Sequence, residues 1–180
     1  MKYVSTRNNQ IELGFKDVFI KGLSEEGGLF VPKTLEAYNE QDLNDFKKLN
    51  YNDLALKILH PFCRDFIDEN NLKIIIEKSY SKFREKEVIK ITNLENLKLL
   101  ELYHGPTLAF KDIAMQFIGN LYQYYLNKNK DFLNIIVATS GDTGAAAIDA
   151  IKGKKNMNIF VLHPNNKISK VQRKLMTTVT

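Results

Sequence analysis

The chain has 180 residues, 44% of them hydrophobic and 26% charged, enough for one globular domain or a small domain with part of a second. No apolar run of about 18 residues occurs, which excludes a membrane-spanning helix, and the opening MKYVSTRNNQ lacks the apolar core of a signal peptide. The net charge of +5 comes from lysines interleaved with Asp and Glu, without a basic stripe studded with aromatics. Nucleic acid is therefore not the expected partner, whereas a small anionic ligand would benefit from the positive field. The single cysteine, Cys63, cannot pair within the chain and fits a reducing compartment, with the cytoplasm as the expected location.

In chain order, KYVSTR reads as a short strand, and GLSEEGGLFVP (22–32) has the glycine and proline punctuation of an ordered loop. Three helices follow, around 40–48, over 52–62 with a break near Pro61, and over 70–83. The last of these carries Leu72, Ile75, Ile76, Tyr80 and Phe83 at three- and four-residue spacing. From about residue 88 the pattern changes. EVIKI and LKLLELY, separated by TNLEN, read as paired strands, and a helix over 112–127 repeats Ile113, Phe117, Leu121 and Tyr125 every four residues. NIIVATS (134–140) and NIFVLHP (158–164) have the nearly all-apolar character of parallel strands covered on both faces. A glycine turn with an alanine-rich helix separates them, and a further helix opens at SKVQRKLM (169–176). This alternation predicts an α/β fold: a small α+β region followed by stacked βαβ units of a parallel sheet. Ligands of such sheets bind beyond the carboxyl ends of the strands, which sets the loops 103–111, 139–144 and 163–169 along one edge.

Three segments could carry chemistry. In ATSGDTGAAA a strand ends at Ser140, glycines bracket Asp142 and Thr143, and a helix starts at once. Small residues allow close backbone approach, and the first-turn N–H groups favour an anion. A plain strand-to-helix turn capped by Asp142 or Thr143 accounts for the same residues, and the charge on Asp142 opposes an anion unless it points aside or bonds a donor. The loop is neither a Walker motif nor a G-x-G-x-x-G dinucleotide site. Lys111 stands where a helix begins. There the helix dipole disfavours a cation by roughly 0.3–1 kcal/mol and so favours the neutral amine that attacks carbonyls, with Asp112 offsetting part of the effect. An ordinary exposed lysine on a first helical turn accounts equally for the position. His60, His104 and His163 show no ligand spacing with Cys63 or with each other, so no metal site is expected. No G-x-S-x-G elbow supports serine hydrolysis.

Taken together, GLSEEGGLFVP, HGPTLAFKD, ATSGDTGAAA and HPNNKISKVQRKLMTT resemble, in wording, order and spacing, segments of the threonine synthase family of fold type II pyridoxal-phosphate (PLP) enzymes. The pairing of HGPTLAFKD with SGDTG points to the longer bacterial and fungal type. The resemblance implies that Lys111 carries PLP covalently, is freed by O-phosphohomoserine, and then moves protons at Cα and Cβ. Phosphate leaves from Cγ and water adds at Cβ to give threonine. It also implies that Ser140, Gly141, Asp142, Thr143 and Gly144 face the cofactor ring and the charged groups of the substrate, with Asp142 meeting the cofactor hydroxyl. His104, Lys167, Ser169 and Gln172 become candidate substrate contacts. Residues 1–87 would form the family's N-terminal domain and 88–180 the beginning of its catalytic domain. Enzymes of this family are much longer, and their PLP-phosphate loop and pyridine-nitrogen partner come after the point corresponding to Thr180. The closing TTVT reads as entering another strand, and the chain alone is expected to hold PLP poorly and to be inactive. Two further readings stand beside this one: another fold type II amino-acid lyase, and a non-catalytic anion-binding α/β module in which Lys111 is a bystander.

Overall fold

The computed structural model describes residues 1–179, which divide into two compact units, Met1–Ile76 and the residues from Glu77 onward. In the first, β1 (Lys2–Ser5) is the centre of a three-stranded antiparallel sheet between β2 (Glu12–Gly14) and β3 (Phe30–Pro32). Tyr3 faces Leu13 on one side and Pro32 on the other. Between β2 and β3 lies α1 (Phe15–Lys21), whose first N–H donates to Asp65 Oδ2 at 3.1 Å. The sheet packs through aromatic rings, Tyr3 on Phe15 and Phe15 on both Phe19 and Phe66, and the Tyr3 hydroxyl donates to Phe62 O at 2.8 Å. The loop expected over 22–32 is ordered by a bridge between Leu23 and Leu29, and its last residues form β3.

Two helices follow in this unit. α2 (Glu40–Phe46) begins in a reciprocal capping box between Asn39 and Asp42. α3 (Tyr51–Cys63) does not break at Pro61 but runs through it. A proline in the last turn forfeits only the bond to Lys57 O, and the buried Cys63 and the Tyr3–Phe62 bond hold that turn in place. Burial, and beyond it the charge of Asp65, pushes the Cys63 thiol up to about 12, so it is an inert core residue. α4 (Glu69–Tyr80) spans the division between the units and stops short of Phe83, which packs edge-on against Tyr80 from the following turn.

The second unit opens with a hairpin, β4 (Lys90–Leu94) and β5 (Leu97–Glu101), joined by the two residues 95 and 96. Most of it is exposed, including Ile91, Leu97 and Leu100. α5 (Lys111–Asn129) leads to β6 (Leu133–Ala138), α6 (Asp142–Ile151) and β7 (Met157–Leu162), and α7 (Lys170–Thr177) closes the described chain. β6 and β7 pair in parallel, Leu133 opposite Met157 through Ala138 opposite Leu162, so β6–α6–β7 is one βαβ unit. The β4–β5 pair belongs to a separate sheet, so the 103–111 loop does not leave a strand of the parallel pair as expected. β6 is also covered on one face only. Leu133, Ile135 and Val137 face the helices, whereas Ile136 is 70% exposed. The strand expected to open at TTVT is absent where described: Thr177 ends α7, Thr178 caps it, and Thr180 lies outside the described residues.

α5 and α6 run side by side in the same direction. Gln116 Nε2 donates to Asp149 Oδ2 at 2.7 Å, and further along Gln123 bonds Lys155 through its side chain. At the crossing, a Cβ on Gly119 would lie 2.7 Å from the carbonyl oxygen of Ala150. Backbone on both sides leaves no room to give, so Gly119→Ala is expected to destabilise the protein by about 1–3 kcal/mol, read as a lower urea midpoint at unchanged slope.

Candidate functional site

The loop before α5 is organised around Asp112. This carboxylate is fully buried and accepts from Thr107 N and from Thr107 Oγ1, each at 2.7 Å. Gly105 lies flat against it: a Cβ there would sit 2.4 Å from that of Asp112. Leu108 turns the chain in the left-handed region (φ 64°), and Asp112 N reaches Ala109 O at 3.0 Å as the helix begins. The Asp112 carboxylate thus has a structural task as well, because it anchors the loop. Lys111 is half-buried, with Nζ 4.4 Å from the centroid of the exposed Phe110 ring, and it makes no ion pair among the described residues. His104 is buried and bonds Glu101 Oε2 through Nε2 at 2.8 Å, while the Thr92 hydroxyl donates to Glu101 Oε1 at 2.5 Å. The Thr92 bond first, and the His104 ring with it, hold the Glu101 carboxyl below its usual range against the opposing effect of desolvation. One ring nitrogen of His104 is therefore committed to the hairpin.

At the start of α6 the N-cap is Gly141, with no side-chain cap, so neither Asp142 nor Thr143 caps the helix. The turn is built by close approach. A Cβ on Gly144 would meet Thr139 Cγ2 at 2.4 Å and Met176 Sδ at 2.7 Å, and one on Gly141 would meet Gln172 Nε2 at 2.5 Å. Ser140 and Asp142 are exposed, Thr143 is half-buried, and the two glycines are buried. Asp142 does bond a donor, since its Oδ1 accepts from Gln172 Nε2 at 3.1 Å. Gln172 is held in turn by Ser169, whose Oγ accepts from Gln172 N and donates to Gln172 Oε1, both at 3.1 Å. Ser169, Gln172, Asp142 and Gly141 therefore form one connected cluster. Lys167 is exposed in the turn before it, outside the cluster. Sequence reasoning missed a cavity of about 250 Å³ beside this turn, lined by His163, Asn165, Asn166, Ile168, Lys170 and Arg173. Its signal was a histidine ending the strand and two cations on the first helical turn.

The parallel packing of α5 and α6 brings two of these groups to one end. Carrying the Gln116–Asp149 register back five residues sets Lys111 level with Gly144. Met115 and Thr143 accordingly line one apolar cavity of about 190 Å³, shared with Ile118, Tyr122, Val137 and Ala147. Lys111 and the Ser140–Gly144 turn lie at this end, with Gln172 and Ser169 attached through Asp142. His104 stays with the hairpin.

An α/β chain in which a parallel strand pair delivers a glycine turn beside a lysine heading the neighbouring helix is the class that fold and site define. The family model described as threonine synthase N terminus matches residues 2–80. The chain is 42% identical to threonine synthase of Saccharomyces cerevisiae and 41% identical to that of Pseudomonas aeruginosa, over 98% and 99% of its own length. It superposes with a TM-score of 0.92, at 39% identity over 98% of its length, on the solved PLP-bound threonine synthase from Brucella melitensis. The chain is similar to the N-terminal portion of these threonine synthases and spans 38% of the length of each.

The Thr107–Asp112 clasp is what fixes the loop ahead of Lys111. Thr107→Val is expected to leave one oxygen of a buried carboxylate unpaired and to cost about 1–3 kcal/mol. Hydrogen exchange should speed up at the amides of 107 and 112 before those of β6.

Proposed function

We propose that the chain supplies the N-terminal domain, residues 1–87, and the opening of the catalytic domain, residues 88–180, of a threonine synthase. The reaction is conversion of O-phospho-L-homoserine and water to L-threonine and phosphate, a step of amino-acid biosynthesis. The observation that carries this reading is the parallel packing of α5 and α6, which sets Lys111 and the Ser140–Gly144 turn at the same end of the helix pair. The residues present fit the carbonyl end of PLP. Lys111 offers an amine without a carboxylate partner among the described residues, at the end of the helix pair where the Ser140–Gly144 turn leaves Ser140 and Asp142 exposed. When bound, PLP supplies the electron sink for chemistry at Cα and Cβ.

In this assignment Lys111 Nζ holds the cofactor and, once released, moves protons at the substrate Cα and Cβ. Ser140, Gly141, Thr143 and Gly144 border the ring and the charged groups of the substrate. Asp142 faces the cofactor hydroxyl, and its bond to Gln172 supports this by keeping the carboxylate oriented. Ser169, Gln172 and Lys167 supply donors toward the substrate phosphate, and His104 contributes through the ring nitrogen that Glu101 leaves free. The partner is a small phosphorylated amino acid, not nucleic acid. Among the described residues no helix is long and apolar enough to cross a membrane. The unpaired Cys63 supports a cytoplasmic setting.

The test uses the longest open reading frame that contains this chain, loaded with PLP. Borohydride reduction and peptide mapping should place a pyridoxyl group on Lys111, and O-phosphohomoserine should release phosphate. Lys111→Ala should retain the fold by circular dichroism and lose turnover by a factor of about 10³ or more. An adduct elsewhere, or turnover near wild type in Lys111→Ala, would overturn the assignment. Turnover of serine or cysteine derivatives in place of phosphohomoserine would move the protein to another lyase of the same fold.

A further inference from the structure

The hairpin carries a buried pair of titratable side chains that its own stability does not require. Strand alternation sets Lys90, Thr92, Leu99 and Glu101 on one face of the β4–β5 ladder, with Lys90 directly opposite Glu101 and Thr92 one diagonal step away. Thr92 Oγ1 therefore reaches Glu101 Oε1, at 2.5 Å, and His104, three residues on, brings Nε2 to Glu101 Oε2 at 2.8 Å. Glu101 is 8% exposed and His104 9%, and the ring of Tyr103 lies 4.7 Å from that of His104. The backbone is held as well, since Arg84 N donates to His104 O at 2.9 Å. His104 Nδ1 is left without a partner among the described residues. It is not sealed off: there, the side-chain atom that is both shut from solvent and unpaired is Asn52 Oδ1. An imidazole nine-tenths buried thus keeps one nitrogen open.

The partners decide which nitrogen carries the proton. The Glu101 carboxyl lies below its usual range, chiefly through the Thr92 bond, and is ionised at neutral pH. An ionised carboxylate only accepts, so Thr92 Oγ1 and His104 Nε2 both donate to it. In the neutral ring, a proton on Nε2 makes Nδ1 the lone-pair nitrogen. A lone pair repels phosphate oxygens, which need donors, and takes an N–H or O–H instead. We infer that Glu101 and Thr92 are positioning residues that present His104 Nδ1 as a proton acceptor, suited to an ammonium or water donor of the bound substrate and not to its phosphate. A proton taken at Nδ1 would leave an imidazolium still paired with Glu101 through Nε2, with Lys90 the opposing cation across the ladder. The substrate part of this inference rests on the threonine synthase reading, and the tautomer rests on the contacts alone.

The longest open reading frame that contains this chain is labelled with ¹⁵N-histidine, and His104 is assigned by the signals lost in His104→Gln. Long-range proton–nitrogen correlation at about pH 8–9, where an imidazole is ordinarily neutral, is expected to show a proton on Nε2 and none on Nδ1. The reverse tautomer, or a ring protonated on both nitrogens at that pH, would overturn the inference. In the PLP-loaded enzyme, Glu101→Gln should lower kcat for O-phosphohomoserine by about 10² and Thr92→Val by about tenfold, with Thr92→Ser restoring the rate lost in Thr92→Val. Inhibition by inorganic phosphate should be unchanged in all three. A folded Glu101→Gln enzyme that keeps the wild-type kcat but loses phosphate inhibition would put His104 at the phosphate and sink the inference. The NMR measurement needs no turnover. The expected tautomer in a protein that releases no phosphate from O-phosphohomoserine would defeat the proposed function while upholding the Glu101–His104 assignment.

Discussion

The second unit depends on a row of buried polar side chains along α5. Asp112, Gln116 and Asn120 recur every four residues and so share one face of the helix, and all three are buried. Each is satisfied by a different element: Asp112 by Thr107 of the preceding loop, Gln116 by Asp149 of α6, Asn120 by Ser79 of α4 and Lys154 after α6. A single such bond contributes only about 0.5–1.5 kcal/mol net, but a buried partner left unpaired costs about 1–3. Sliding α5 by one turn would orphan all three at once. The row therefore acts less as a source of stability than as a register lock, and this register is what brings Lys111 level with Gly144.

Close backbone approach does the rest. Gly119 lets α5 touch the carbonyl of Ala150, Gly105 lets the loop lie against Asp112, and Gly141 and Gly144 let the turn before α6 pack on Gln172, Thr139 and Met176. In the SGDTG turn the glycines are thus occupied by packing and are buried, while Ser140 and Asp142 are the residues left facing outward. This separates two roles that the motif merges when read as letters. The glycines set the path of the chain, and the side chains between them present the chemistry. The Asp142–Gln172 bond then connects that chemistry to α7, so the turn and the helix after β7 report on each other.

Much of this was legible beforehand. The apolar runs of β6 and β7, the hairpin at 90–101 and the helices from α2 onward follow from periodicity, to within a few residues at their ends. What was hidden depended on distant partners. α1 starts on Asp65, fifty residues away in sequence, so no local capping signal marks it. β2 is three residues long and exists by pairing with β1. Pro61 reads as a break until Tyr3 and Cys63 are seen to hold the last turn of α3. The apolar repeat Ile113, Phe117, Leu121 and Tyr125 drew attention from the polar repeat beside it, although only Leu121 of those four is fully buried. A hydrophobic pattern finds the face that can be buried. It is silent about polar groups whose partners come from elsewhere.

The parallel pair shows the same limit from the other side. Its strands are apolar on both faces, as in a sheet covered above and below, yet the helices cover one face and leave Ile136, Phe160 and Leu162 more than half exposed. The hairpin is barer still, with Ile91, Leu94, Leu97, Leu99 and Leu100 all about half exposed or more. A two-stranded ribbon of this kind gains little stability alone. Both facts fit a chain that matches 38% of the length of its relatives. The elements around Lys111 are locked by interactions internal to the second unit, while the apolar faces beside them are unmet. Position and register of the lysine are thus fixed by these residues themselves.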